Sequence, residues 1–225
     1  VIERRGKELL GLGLIAAAVA VAMMLISYVP EDPSWLSATD EPARNLLGRF
    51  GASIASPLFV IVGWGAWAIA AVFAVWGLRF VLHKGEDRVM ARAIFAPFAV
   101  ALVSVYASTH VPSGEWTHSF GLGGLFGDTV LGAVLGVVPV TATLGLKIMA
   151  AAMAAAALSM MLFSLGFSMR ELRGFGRFLL RGAILSYAGM LRAGARGAVG
   201  ALRGSAAGMR AVSDVRDRRA AARAA

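Results

Sequence analysis

The chain has 225 residues, of which 58% are hydrophobic and only 16% charged, with a formal net charge of +9 and no cysteine. A soluble domain of this size carries roughly 25% charge, so a water-soluble globule is excluded. The absence of cysteine likewise excludes disulfides and thiolate metal sites.

Apolar residues run in four blocks, Leu9–Val29, Gly51–Leu78, Ala93–Val111 and Thr129–Met169. About 18 uninterrupted apolar residues cross a bilayer, so the expected fold is an all-α membrane protein. The first block is too long for a signal-peptide core and lacks a small-residue cleavage site before Pro30, so it is expected to remain as a span. Gly11, Gly13, Ala16, Ala17 and Ala20 in the first block, Gly63 and Gly65 in the second and the alanine run 150–157 in the last are small residues of the kind that let membrane helices approach closely. Tyr28, Trp35, Trp76, Phe80, Tyr106 and Trp116 are placed for an interfacial aromatic belt.

Between the first two blocks, Ser27-Tyr28-Val29-Pro30-Glu31-Asp32-Pro33-Ser34-Trp35 reads as a rigid helix exit. Its two prolines end the helix, Asp32 is expected to bond its own backbone ahead, and Trp35 is an aromatic anchor. Asn45, Gly48, Gly51 and Ala52 then open the second block.

Orientation follows from Lys and Arg, which are retained on the cytoplasmic side of a membrane helix. With four spans, the N-terminus, second loop and tail carry nineteen such residues and the other two loops carry two. Both termini are therefore expected in the cytoplasm. Dividing the 41-residue last block into two spans would put the twelve arginines of the tail outside, so five spans are rejected. Residues 121–138 are expected to form a short interfacial or re-entrant helix broken near Pro139. The expected spans are 9–29, 51–78, 93–111 and 141–169, between a cytoplasmic segment 1–8 and an Arg/Gly/Ala-rich cytoplasmic tail or linker, 170–225. Lys147 lies near the outer end of the last span, where its ammonium can reach the interface.

No H-E-x-x-H, G-x-S-x-G or Walker A motif occurs, and no Asp or Glu lies within an expected span. Neither a catalytic, a cofactor-binding nor a metal residue is assigned. His110, Glu115, His118 and Asp128 share the third loop without the spacing of a ligand set, and an outer-loop metalloprotease is a distant reading. Ser104, Ser108 and Thr109 are read as bonding carbonyls or neighbouring helices rather than lining a pore. A small transporter or channel subunit is the alternative, on the strength of 121–138 and Lys147.

The tail contributes Arg170, Arg173, Arg177, Arg181, Arg192, Arg196, Arg203 and Arg210, which fall on one stripe of a continuous helix. Its glycines each cost about 1 kcal/mol against alanine, so isolated helix is unfavourable. Three readings stay open: binding to an anionic membrane surface, at about 1 kcal/mol per Arg; a coupling helix packing through Gly200, Gly204 and Gly208; and contact with DNA, for which stacking aromatics are nearly absent after Tyr187.

The start Arg-Arg-Gly-Lys-Glu-Leu, the exit SYVPEDPSW, the spacing Asn45-Gly48-Gly51-Ala52 and the later Gly123-Gly124-Leu125-Phe126-Gly127 together resemble the N-terminal four-span domain of FtsK/SpoIIIE-type DNA translocases over about residues 3–168. Ala55-Ser56-Pro57 stands where the family pattern has an alanine-aspartate pair. The resemblance implies an anchor in the bacterial inner membrane at the division septum, meeting septal proteins and sister subunits. It also implies a hexameric motor elsewhere in the protein, which alone would use ATP and magnesium, contact DNA and couple division to chromosome partition. The motif residues it singles out are Tyr28, Pro30, Asp32, Pro33, Ser34, Trp35, Asn45, Gly48, Gly51, Gly123, Gly124 and Gly127.

Overall fold

A computed structural model describes residues 2–85, 89–114, 116–137, 142–174, 177–178 and 181. The described residues form helices and connecting turns: α1 (Ile2–Ile26), α2 (Gly48–Val62), a 3₁₀ turn (Gly63–Gly65), α3 (Ala66–Val81), α4 (Val89–Ala93), α5 (Ala96–Ser108), α6 (Gly124–Val137) and α7 (Ala142–Ser164). The chain falls into two compact units, Val1–Phe167 and Ser168–Ala225.

The first unit is organised on the α1–α3 pair. Gly11 and Gly77 face each other so closely that a Cβ on either would stand 2.7 Å from the other's carbonyl oxygen. Antiparallel register follows from the pairs at both ends, because Leu25 shares a core with Ala66 while Glu8 Oε1 lies 3.6 Å from His83 Nε2. Gly11 thus packs as expected from its size, whereas Gly13 faces open space.

The block expected as one span, 51–78, is instead two helices with a turn between them. Gly63 sits at φ 53°, ψ −129°, a conformation open only to glycine, and ends α2. Both ends of α2 stay near the last turn of α1: Asn45, just before α2, bonds the Met24 carbonyl, and Phe59 lies 4.6 Å from the Tyr28 ring. A 15-residue helix is about 22 Å long, so α2 crosses the end of α1 rather than running down its side. The segment of this block that packs along α1 is therefore α3.

Arg4–Ile26, Gly48–Val81 and Thr143–Ser164 are long and apolar enough to cross a membrane, the second of them interrupted at Gly63. α5 has only 13 residues against the 19 expected, because Pro97 starts a fresh helix after the turn at Ile94-Phe95, and Thr109 ends it by bonding the Tyr106 carbonyl. α6 is the expected short helix, confined to 14 residues. The break near Pro139 lies outside the described residues. α7 stops at Ser164, five residues before the expected end, where Gly166 takes φ 81°. The reason is a clamp: the Trp76 indole donates to the Ser164 carbonyl (2.9 Å), the Arg79 guanidinium lies over Phe167 and that of Arg92 over Phe163. Trp76 and Phe80 are 4% and 8% exposed, so they are core residues and not part of an interfacial belt.

These contacts set the directions of α1, α3, α5 and α7. Glu8, His83, Arg92 and Gly166 mark one end of the unit, and Tyr28, Phe59 and Trp116 the other. Residues 8 and 167 consequently lie on the same side. In the second unit, Ser168 and Glu171 exchange backbone-to-side-chain bonds at the start of a helical segment, 169–174, a reciprocal capping box. Arg170, Arg173, Arg177 and Arg181 are exposed there, while Arg192, Arg196, Arg203 and Arg210 lie outside the described residues.

Candidate functional site: two polar knots joined by an aromatic cluster

The exit loop is tied down by a carboxylate and an amide. Asp32, 5% exposed, accepts the Arg44 N–H at Oδ1 (2.8 Å) and the Asn45 N–H at Oδ2 (2.9 Å), so its partners are twelve and thirteen residues away and not in its own turn as expected. Asn45, 4% exposed, donates from Nδ2 to the Met24 carbonyl (2.9 Å) and the Ser27 carbonyl (3.4 Å) and accepts the Leu47 N–H at Oδ1 (3.1 Å). Ser27 donates to the Met23 carbonyl (2.6 Å) and accepts the Leu46 N–H (2.9 Å). Carbonyls at a helix C-terminus have no partner within the helix, and here residues 45 and 27 supply it. Gly51 is required by the same packing, since a Cβ there would run into the Asn45 amide. Gly48 takes φ 60° in the turn into α2. Trp35, by contrast, is 85% exposed, and Pro30, Pro33 and Ser34 make no part of the knot beyond shaping the loop; a backbone bond from Ser34 to the Ser37 carbonyl closes it.

The second knot is built from glycine and serine. The Trp64 N–H donates to the Leu122 carbonyl (2.8 Å), which locks the 3₁₀ turn against the double-glycine turn. Gly124 is at φ 69°, and a Cβ on it would stand 2.6 Å from Gly63 N and 2.7 Å from the Ile61 carbonyl. Gly123 and Gly127 lie against Ser104 and Ser108 of α5 with no room for a side chain. The Ser104 hydroxyl donates to the Gly123 carbonyl (2.5 Å), and Ser108 to Asp128 Oδ1 (2.7 Å), whose Oδ2 accepts the Gly121 N–H (2.6 Å). The serines therefore act as interhelical ties, as their type suggests in membrane helices. Ser104→Ala is expected to cost about 1 kcal/mol, the worth of one net hydrogen bond. Ser104→Val should cost more, because it adds volume against Gly65 and Gly123, and thermal melting in detergent distinguishes the two.

Between the knots, Tyr28, Phe59, Trp116 and Phe120 surround His118, with ring centroids 4.6 to 5.7 Å from the imidazole. The sequence places His118 in the third loop, and the aromatic spacing S-Y…F…W-x-H-x-F becomes informative only once α2 is known to cross α1. Burial holds the His118 pKa below its ordinary value, against a smaller opposing pull from Glu31. The unfolded chain then binds the proton more readily, so the stability of this cluster is complete above about pH 6.5 and declines as pH falls below it. Melting temperature should drop between pH 7.5 and pH 5, and His118→Phe should flatten that dependence.

His110 bonds within its own turn and Asp128 serves the second knot, so the histidines and carboxylates of the third loop are not brought to one point. Among the described residues there is no group of three or more His, Cys, Asp or Glu side chains able to hold a metal. Lys147 is exposed in the second turn of α7. Ser56 is 5% exposed and lies within hydrogen-bonding reach of the Tyr28 hydroxyl.

Fold and site together define, among the described residues, a helical, multi-pass membrane domain whose loops are tied onto its helix ends. A family described as the 4TM region of DNA translocase FtsK/SpoIIIE matches residues 3–173, and the chain belongs to that family. It is similar to curated proteins named DNA translocase FtsK, with 33% identity over 135 residues in Azospirillum brasilense, 35% over 132 in Bradyrhizobium diazoefficiens and 32% over 144 in Caulobacter vibrioides. Those matches cover 59%, 59% and 62% of this chain and 21%, 16% and 18% of the respective relatives. The chain thus spans about a fifth or less of the length of these relatives. No solved structure matches. Membership fixes the location as the bacterial inner membrane, crossed several times.

Proposed function

We propose that these residues anchor and assemble a DNA translocase at the division septum, holding in place a motor made by other residues of the protein. The observation that carries this reading is the common side of residues 8 and 167, the side on which Arg4, Arg5, Lys7, Arg79, Lys84 and Arg92 gather, while Arg44 and Arg49 belong to the other. Positive residues are retained in the cytoplasm, so whatever the chain continues into after Phe167 shares a compartment with the chromosome. The family likeness supports a hexameric motor, and ATP, magnesium and DNA would be its ligands rather than those of this domain. Septal proteins and sister subunits would meet the outer loop around Trp35 and the helix faces.

The arginine-rich segment after Ser168 then serves as a membrane-surface anchor. Binding of a peptide of residues 168–225 to vesicles should require anionic lipid and weaken steeply as salt is raised, since screening shortens the range of each charge. Binding to neutral vesicles that salt leaves unchanged would remove this role. For the anchor itself, deleting residues 1–169 from the full-length protein should release the motor from membranes and from the septum, and a truncated motor still at the septum would refute the proposal.

A further inference from the structure

Between α2, α3, α5 and α6 a cavity of about 390 Å³ opens to the outside of the helix bundle. Ile61, Val72, Phe73, Pro97, Ala101 and Phe126 are among its walls, and almost no polar surface faces it. We infer that this cavity seats one acyl chain of a membrane phospholipid.

Three observations converge on hydrocarbon. The volume lies in the range of small-ligand pockets. A water molecule inside would find none of the two to four polar partners it needs, and an empty space would leave the wall atoms without contacts on one side. The rim also continues into exposed apolar residues, Ile61 at 52% and Phe126 at 40%. Ile61, Val72 and Phe73 belong to a stretch, Gly48–Val81, long and apolar enough to cross a membrane, so acyl chains are the medium around it. Two walls, Ile61 and Phe126, neighbour Gly63 and Gly124, so a seated chain would also brace the second knot. The inference depends on the membrane-spanning fold and is independent of the septal role.

The test is photo-crosslinking of the full-length protein in phosphatidylethanolamine–phosphatidylglycerol vesicles containing a phospholipid with a diazirine on one acyl chain. Adducts should concentrate at Phe73, Ala101 and Phe126 relative to the exposed positions Ile148 and Leu158 of α7. Ala101→Phe, which fills the cavity, should lower the adducts at Phe73 and Phe126 at least tenfold and leave Leu158 unchanged. Labelling spread evenly over the wild-type protein would overturn the inference without reliance on the variant's folding. So would crosslinks from the cavity to another protein segment in place of lipid, or adducts at Phe73 and Phe126 that Ala101→Phe leaves unchanged.

Discussion

Gly124→Ala should destabilise the membrane domain by about 2–5 kcal/mol. Two costs add. Residue 124 has φ 69°, and a left-handed conformation costs a residue with a Cβ about 1–2 kcal/mol. The new methyl would also stand 2.6 Å from Gly63 N and 2.7 Å from the Ile61 carbonyl, both backbone atoms, so relief requires the 3₁₀ turn itself to move. Overpacking of this kind costs about 1–3 kcal/mol on its own. Moving the turn would break the bond from the Trp64 N–H to the Leu122 carbonyl and open the contact between α2 and α6. Gly132→Ala is the control on the same helix, since its Cβ would enter open space. Melting in detergent should separate the two variants by roughly ten degrees, and equal melting temperatures would show that the double-glycine turn is not packed as described.

Asn45→Ala should be nearly as damaging, through polar atoms rather than volume. The amide serves two carbonyls at the end of α1 and one N–H at the start of α2. Removing it leaves buried groups unpaired, at about 1–3 kcal/mol each, so a total of about 3 kcal/mol is expected even if the longer bond counts for little. Asp32→Asn is the informative companion. It keeps one acceptor oxygen but turns the other into a donor facing an N–H, so about 2 kcal/mol should be lost. The pair should be far from additive, because both residues hold the same loop. Proteolysis of the outer loop in spheroplasts reads this directly: cleavage between residues 32 and 47 should accelerate in both variants.

Much of this architecture was readable in the sequence, and what was not has physical causes. The apolar blocks are set by bilayer thickness and so announce α1, α3 and α7 without reference to partners. The serines of α5 were interpretable because a hydroxyl in a membrane helix has few options besides a carbonyl. The break at Gly63 was hidden, since an apolar run reads the same whether it descends straight or turns, and only the backbone angle tells them apart. Asp32 looked local because its true partners are twelve and thirteen residues on, brought back by the packing of α2 over α1. Trp76 and Phe80 sat at a span end in the sequence, where a belt would be; the return of α7 buries them. The motif residues prove to fall into distinct kinds: Asp32, Asn45, Gly51, Gly123, Gly124 and Gly127 are fixed by contacts within the chain, while Trp35 is exposed.

The central claim is that residues on either side of the helical unit lie across the membrane from the outer loop, which a chain without cysteine allows to be measured cleanly. Single thiols introduced by Ser34→Cys and Ser168→Cys, in full-length protein with any other thiol replaced, can be exposed to an impermeant maleimide on intact spheroplasts. Ser34→Cys should be labelled at once and Ser168→Cys only after the membrane is permeabilised. Labelling of Ser168→Cys from outside, with the membrane intact, would contradict the account.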